Sequence, residues 1–225
     1  MFENIYNFDI IFLIRFIMRN SEFIYNTLKE LIEEPKSELN FNNNFELIIS
    51  VLLSAQCTDK RVNMVTPILF SKYDTCYKMA EAKLSDVEDI IRPCGFYHNK
   101  AKNIIELSKK LVYNFNGIVP STMEELLTLD GVGRKTANVV LAVGFNKPAI
   151  AVDTHVHRVS NRLGLSNSSD VLKVEQSLMR QFDKSLWGEV HHLILLFGRY
   201  YCKSQNPKCD GCKFADICKY KERRK

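Results

Sequence analysis

Gly131-Val132-Gly133 is the stretch that most restricts what this chain can fold into. Helix-prone segments flank it, Ser121 to Leu129 before and Lys135 to Val143 after. Glycines here let the backbone turn with φ > 0 and leave no side chain to hold a partner away. Ser121 and Glu124 have capping-box spacing, which sets a helix start just after Pro120. The second helix begins at Arg134-Lys135, where the first amides of a helix have no partner within it. Helix, glycine turn and helix together make a phosphate cradle out of main chain.

The rest of the chain is also patterned for helices. With 9 Gly and 6 Pro in 225 residues and few hairpin signals, the composition points to an all-α protein. Residues 21–34 read as a first helix with Phe23, Ile24, Leu28, Leu31 and Ile32 on one face, stopped by Pro35. Phe45 to Ala55 is nearly all apolar and too short to span a bilayer, so it reads as a buried central helix. Asn63 to Lys72 is helical, kinked or started by Pro67, and Ser85 with Glu88 forms a second capping box. His98 to Phe115 is amphipathic, with Lys100, Lys102, Lys109 and Lys110 outward and Asn116-Gly117 closing it. Thr154 to Leu163 is a helix capped by Asp153, and Asp170 to Phe182 and Leu186 to Tyr201 are two more.

Charge and cysteine are both concentrated at the C-terminus. Residues 199–225 hold nine Lys/Arg against three Asp/Glu, a net of +6 out of +5 for the whole chain, so the body is near −1. A basic end on a neutral body suits a polyanion partner, although a solvated basic tail looks the same by charge alone. Cys202, Cys209, Cys212 and Cys218 are spaced C-x6-C-x2-C-x5-C within 17 residues, and Cys57, Cys76 and Cys94 are scattered. Four close thiolates without a histidine pattern call for a soft metal centre, and zinc or an iron–sulfur cluster would each satisfy them. Residues 1–17 are apolar but lack a basic start and a cleavage site, and Asp9 and Arg15 interrupt them. They are taken as an N-terminal extension, with Met18 read as the true start and an extra N-terminal helix or a weak membrane-surface anchor the alternative. A cytoplasmic protein with reduced thiols is expected.

The string LDGVGRKTANVVL, followed by AIAVDTHVHRVSNR, resembles the active-site region of the endonuclease III family of DNA glycosylases. The resemblance runs from about Leu39 to the C-terminus. It implies a helix-hairpin-helix at Gly131, Val132 and Gly133, a nucleophilic lysine at Lys135 and a catalytic aspartate at Asp153. It further implies that Gln56, of Leu-Ser-Ala-Gln, and Phe96, between glycine and tyrosine, enter the duplex beside an extruded base. His155 is placed near a phosphate or the flipped base. The 6-2-5 cysteine spacing is similar to the family's [4Fe–4S] loop, whose Lys203 and Lys208 would press on a phosphate backbone. Two helical domains are implied, 37–147 with the hairpin and 18–36 plus 148–225 with the cluster, and the active site in a cleft between them. The expected partner is double-stranded DNA with damaged bases or abasic sites, bound by a monomer away from membranes, at the nucleoid in a bacterium. Two residues depart from the family pattern: Asp130 replaces the usual proline, and Phe96 replaces leucine. A carboxylate at Asp130, beside a phosphate cradle, would weaken DNA binding slightly.

The expected reaction is excision of an oxidised or otherwise damaged pyrimidine, followed by strand cleavage through a lysine Schiff base. Read singly, each residue has a plainer role: Lys135 a phosphate-binding lysine, Asp153 a helix cap, Gln56 a helix end, Phe96 a loop anchor, His155 a surface histidine. A mismatch-specific or monofunctional glycosylase is the nearest alternative. An adenine glycosylase would lack Lys135 and carry a further domain after the cysteines. A non-catalytic DNA-binding or electron-transfer module would have no need of Lys135 and Asp153 together.

Overall fold

The computed structural model describes residues 20–220, so the N-terminal extension and the last five residues of the basic tail lie outside the described residues. Among the described residues the secondary structure is helical, without a strand, and no helix is long and apolar enough to cross a membrane. The chain divides into two compact units. One is Ser37–Ala149. The other joins the described residues before Ser37 to the described residues from Ile150 onward.

In Ser37–Ala149, helices α2 (Asn44–Leu53) and α3 (Asp59–Lys72) come first. Short helices α4 (Cys76–Ala80) and α5 (Leu84–Ile91) follow, then the long α6 (Tyr97–Phe115). The unit ends with α7 (Met123–Leu126) and α8 (Arg134–Val139), which widens into π-helical turns over Val140–Gly144. Helix α2 is central because it is apolar all round: Leu47, Ile48, Ile49 and Leu53 are fully buried. Around it Leu69, Met79, Ile91, Ile104, Leu107 and Leu111 close one core.

The second unit has its own core. Its elements are α1 (20–31 as described), α9 (Thr154–Arg162), α10 (Val171–Gln181) and α11 (Trp187–Tyr200). Ile24, Leu28, Val156, Val159, Leu178, Leu193, Ile194 and Phe197 meet in its centre. Gly198 of α11 lies so close to α9 that a Cβ there would come 2.9 Å from the Cβ of His155 and 3.1 Å from Val159.

Several boundaries differ from the expectation. Helix α1 ends four residues before Pro35. Helix α3 starts at Asp59, capped by Thr58, and runs through Pro67. Helix α5 starts at Leu84, so Ser85 lies inside it, and Glu88 is occupied by His98 at 2.8 Å. The capping box before the hairpin is Thr122 with Glu125, one residue later than Ser121 with Glu124. Both pairs fit the spacing, but Ser121 is engaged instead by Lys147, whose Nζ donates to the Ser121 hydroxyl at 3.0 Å. Lys100, expected to point outward, is buried.

Candidate active site

The hairpin is held by α6. Gly131 has φ +74, and a Cβ there would lie 2.8 Å from Asn103 Nδ2 and 2.9 Å from Leu52 Cδ1. The conformation and the packing both demand glycine. Val132 is buried beneath the turn, anchoring it to the core. Gly133 is different. Its φ of −95 suits any residue, and a Cβ there would meet nothing within 4 Å. Gly133 then serves as the N-cap of α8, with no side chain capping the helix, and Lys135 stands exposed in the first turn. Asp130 is not a bare charge beside this turn, because Lys110 Nζ lies 2.9 Å from its Oδ2 and also donates to the Thr128 carbonyl at 2.8 Å.

Asp153 caps α9. Its Oδ1 accepts from the amides of His155 at 2.9 Å and Val156 at 2.8 Å. Both bonds fall on one oxygen, which aims the carboxylate and leaves Oδ2 uncommitted among the described residues. His155, half-buried, has Nδ1 3.2 Å from Arg158 Nη2. A guanidinium only donates, so Nδ1 is the accepting side of this contact.

Gln56 and Phe96 share an unusual backbone state. The described non-glycine residues with positive φ are Gln56 (52), Phe96 (49) and three asparagines. Asparagine adopts this conformation easily; glutamine and phenylalanine do so at a cost of about 1–3 kcal/mol each. Both side chains are exposed, and Phe96 is 67% so. A bulky apolar side chain held out in water on a strained backbone is not explained by packing within the unit.

The cysteine loop is built onto α9 and α11. Arg158 donates from Nε to the Cys202 carbonyl at 3.0 Å and from Nη2 to the Gly198 carbonyl at 2.9 Å. One turn on, Arg162 Nη1 donates to Cys202 Sγ at 3.4 Å and to the Lys203 carbonyl at 2.8 Å. Its guanidinium also stacks on Tyr220, 3.8 Å from the ring centroid, and its carbonyl accepts from Lys219 N at 2.7 Å, so both ends of the loop meet on Arg162. Phe214 in mid-loop is fully buried, edge-on to Phe197 at 5.1 Å and to Phe23 at 6.2 Å. Lys203 and Lys208 are exposed, with Lys208 Nζ 5.2 Å from the Tyr201 ring.

All four loop cysteines are half-buried free thiols. Burial pushes the Cys212 thiol up, and the neighbouring Cys202, Cys218 and Cys209 push it further. Four thiols crowded at this spacing are a soft donor set. No three His, Cys, Asp or Glu among the described residues converge on a single ion.

The sequence reading places Lys100 outward and does not single out Arg158, Arg162 or Phe214. A signal existed for Lys100: it stands four residues before Ile104 and eight before Ser108, on the buried stripe of α6.

Comparison with known proteins agrees with the helical hairpin and its surroundings. Residues 49–184 match the model of the HhH-GPD superfamily base excision DNA repair protein. The endonuclease III of Bacillus subtilis (strain 168) is 45% identical over 208 residues, which are 92% of this chain and 95% of that protein. The endonuclease III of Escherichia coli (strain K12) is 42% identical over 200 residues, 89% of this chain and 95% of that one. The solved structure of a trapped endonuclease III–DNA covalent intermediate superposes with a TM-score of 0.89 at 45% identity, covering 92% of this chain and 98% of that chain. A thermostable thymine-DNA glycosylase, at 22% identity and a TM-score of 0.74, shares the fold. The chain therefore belongs to the endonuclease III family, within the HhH-GPD superfamily of base excision DNA repair proteins.

Proposed function

We propose that this protein is a base-excision-repair DNA glycosylase with an associated AP lyase activity, acting on duplex DNA that carries damaged pyrimidines. The observation that carries the reading is the hairpin surface. Gly131 is required by the fold, whereas Gly133 faces open space with Lys135 exposed two residues on. A phosphate backbone can approach the Gly133 main chain without meeting a side chain.

The chemistry follows from the residues. The base must leave the stack before its glycosidic bond can be reached. Phe96 and Gln56, already held outward, are assigned to fill the gap in the duplex. The Lys135 amine, once neutral, attacks C1′, the C1′–N bond breaks, and the base departs with its electron pair and takes up a proton. The attached nitrogen then loses a proton, and its lone pair forms the C=N bond of a Schiff base as the C1′–O4′ bond breaks and O4′ takes up a proton. Loss of a C2′ proton lets the 3′ phosphate leave by β-elimination. Asp153, with Oδ2 uncommitted, is assigned to stabilise positive charge at the sugar and to carry protons. A trapped covalent DNA intermediate of endonuclease III, the similar solved structure, supports the covalent step.

Cys202, Cys209, Cys212 and Cys218 are assigned to hold a [4Fe–4S] cluster, which when bound would crosslink the loop by metal–thiolate bonds. Arg162 donates to the Cys202 sulfur, and Phe214 seats the loop on the core. Lys203 and Lys208 are assigned to phosphate contacts, and His155 to a phosphate or the flipped base.

Borohydride trapping on a duplex with one oxidised pyrimidine tests the reading. The parent should give a covalent adduct, and Lys135→Gln none. Base release by the parent without any adduct would mean a monofunctional enzyme that uses water, and would reduce Lys135 to a phosphate contact.

A further inference from the structure

Lys100 is a buried lysine at 6% exposure, near the start of α6. Its Nζ donates to three backbone carbonyls: Leu53 at 2.9 Å, Ala55 at 2.8 Å and Cys94 at 2.9 Å. An ammonium has three N–H groups, and all three are used. Burial pushes its pKa down, and the nearby Cys57 and Cys94 sulfurs push it back up. Sinking a charge into a core is costly, so three charge-assisted bonds at this place need a reason.

The positions of the carbonyls supply one. Leu53 and Ala55 stand at the C-terminal end of α2, where carbonyls lack helical partners and the helix dipole is negative. The next residue is Gln56. Cys94 ends the short 3-10 turn Arg92–Cys94, and Phe96 stands two residues on. One nitrogen thus grips the backbone beside each of the two strained, exposed residues. The loops that carry them are 40 residues apart in the sequence.

We infer that Lys100 is a positioning residue for base extrusion. It ties the Gln56 loop to the Phe96 loop, so that the two side chains enter the duplex as one rigid tool. The inference rests on the assignment of Gln56 and Phe96 as the residues that enter the duplex. Without the tie, each loop could relax from its left-handed backbone towards commoner conformations, and the two tips would lose their common frame. Lys135 and its surface would be untouched.

The experiment compares two substrates. Lys100→Met keeps the chain length and removes the donors. On a duplex with a paired oxidised pyrimidine, single-turnover base release should fall on the order of tenfold to a hundredfold, the scale expected for misplaced contacts. On a single-stranded oligonucleotide with one abasic site, where no partner base is orphaned and no gap is left to fill, borohydride trapping at Lys135 should be nearly unchanged. In the Gln56→Ala, Phe96→Ala background, Lys100→Met should cause no further loss on the duplex. Equal losses on both substrates, an additive loss in that background, or no loss at all would overturn the inference. If Lys100→Met does not fold, Lys100→Arg carries the same comparison, because its donors are spread over a plane and cannot meet three carbonyls from one nitrogen. A parent that gives neither base release nor adduct would instead sink the enzymatic assignment on which the inference rests.

Discussion

Arg158 donates from Nε to the carbonyl of Cys202 at 3.0 Å, joining the helix that Asp153 caps to the first cysteine of the loop. The same guanidinium reaches Gly198 on α11 and His155 on α9. Burial lowers the Arg158 pKa from the usual arginine value, and the Cys202 sulfur opposes that shift. The cysteine loop and the candidate active-site helix are therefore mechanically one piece within their unit.

Loss of the proposed cluster should reach α9. Stripping the metal, or replacing Cys202 with alanine, is expected to lower Tm on the order of 10 °C, since thiolate–metal bonds are part of the folding energy of such loops. Hydrogen exchange should rise around Arg158–Arg162 as well as in the loop. Protection of α9 unchanged in the stripped protein would refute the coupling.

The two hairpin glycines should fail in different ways. Gly131→Ala is expected to destabilise by about 1–2 kcal/mol for the left-handed backbone, plus the cost of crowding Asn103 and Leu52. Gly133→Ala should leave the urea midpoint nearly unchanged, because nothing lies within 4 Å of its Cβ, yet weaken binding to duplex DNA. Equal effects on stability from the two variants would contradict this division.

Phe96→Gly should trade function for stability. Glycine relieves a left-handed phenylalanine whose side chain is 67% exposed, so Tm should hold or rise slightly. Turnover on a paired duplex should fall, and the count to make is of both quantities in the same preparation. A clear drop in Tm would mean that Phe96 anchors its loop by packing.

Acid should weaken the second unit through His192. Burial pushes its pKa below 6.5, while its Nδ1–H donates to the Gly188 carbonyl at 2.8 Å. The folded state thus resists protonation more than the unfolded chain does. Stability is full above the unfolded value of about 6.5 and declines as pH falls below it, down to the lower folded pKa. Denaturant titrations at pH 7.5 and 5.5 should show a smaller difference in His192→Asn than in the parent. An equal difference would assign the acid sensitivity elsewhere.

What the sequence alone determined was local. The turn at Gly131-Val132-Gly133, the Asp153 cap and the C-x6-C-x2-C-x5-C loop each depend on neighbours a few residues away, so spacing and residue type suffice to read them. The capping box before the hairpin shows the limit of that logic. Two overlapping pairs fit, and only the distant Lys147, by claiming Ser121, leaves Thr122 as the cap. Tertiary structure decided the rest. A lysine reads as surface until three carbonyls from two distant segments surround it, as they do Lys100. Phe214 reads as a loop residue until Phe23 and Phe197, from both ends of the chain, enclose it. The reason is the range of the interactions: caps and turns close over three or four residues, whereas desolvation and packing depend on whatever the whole fold brings near.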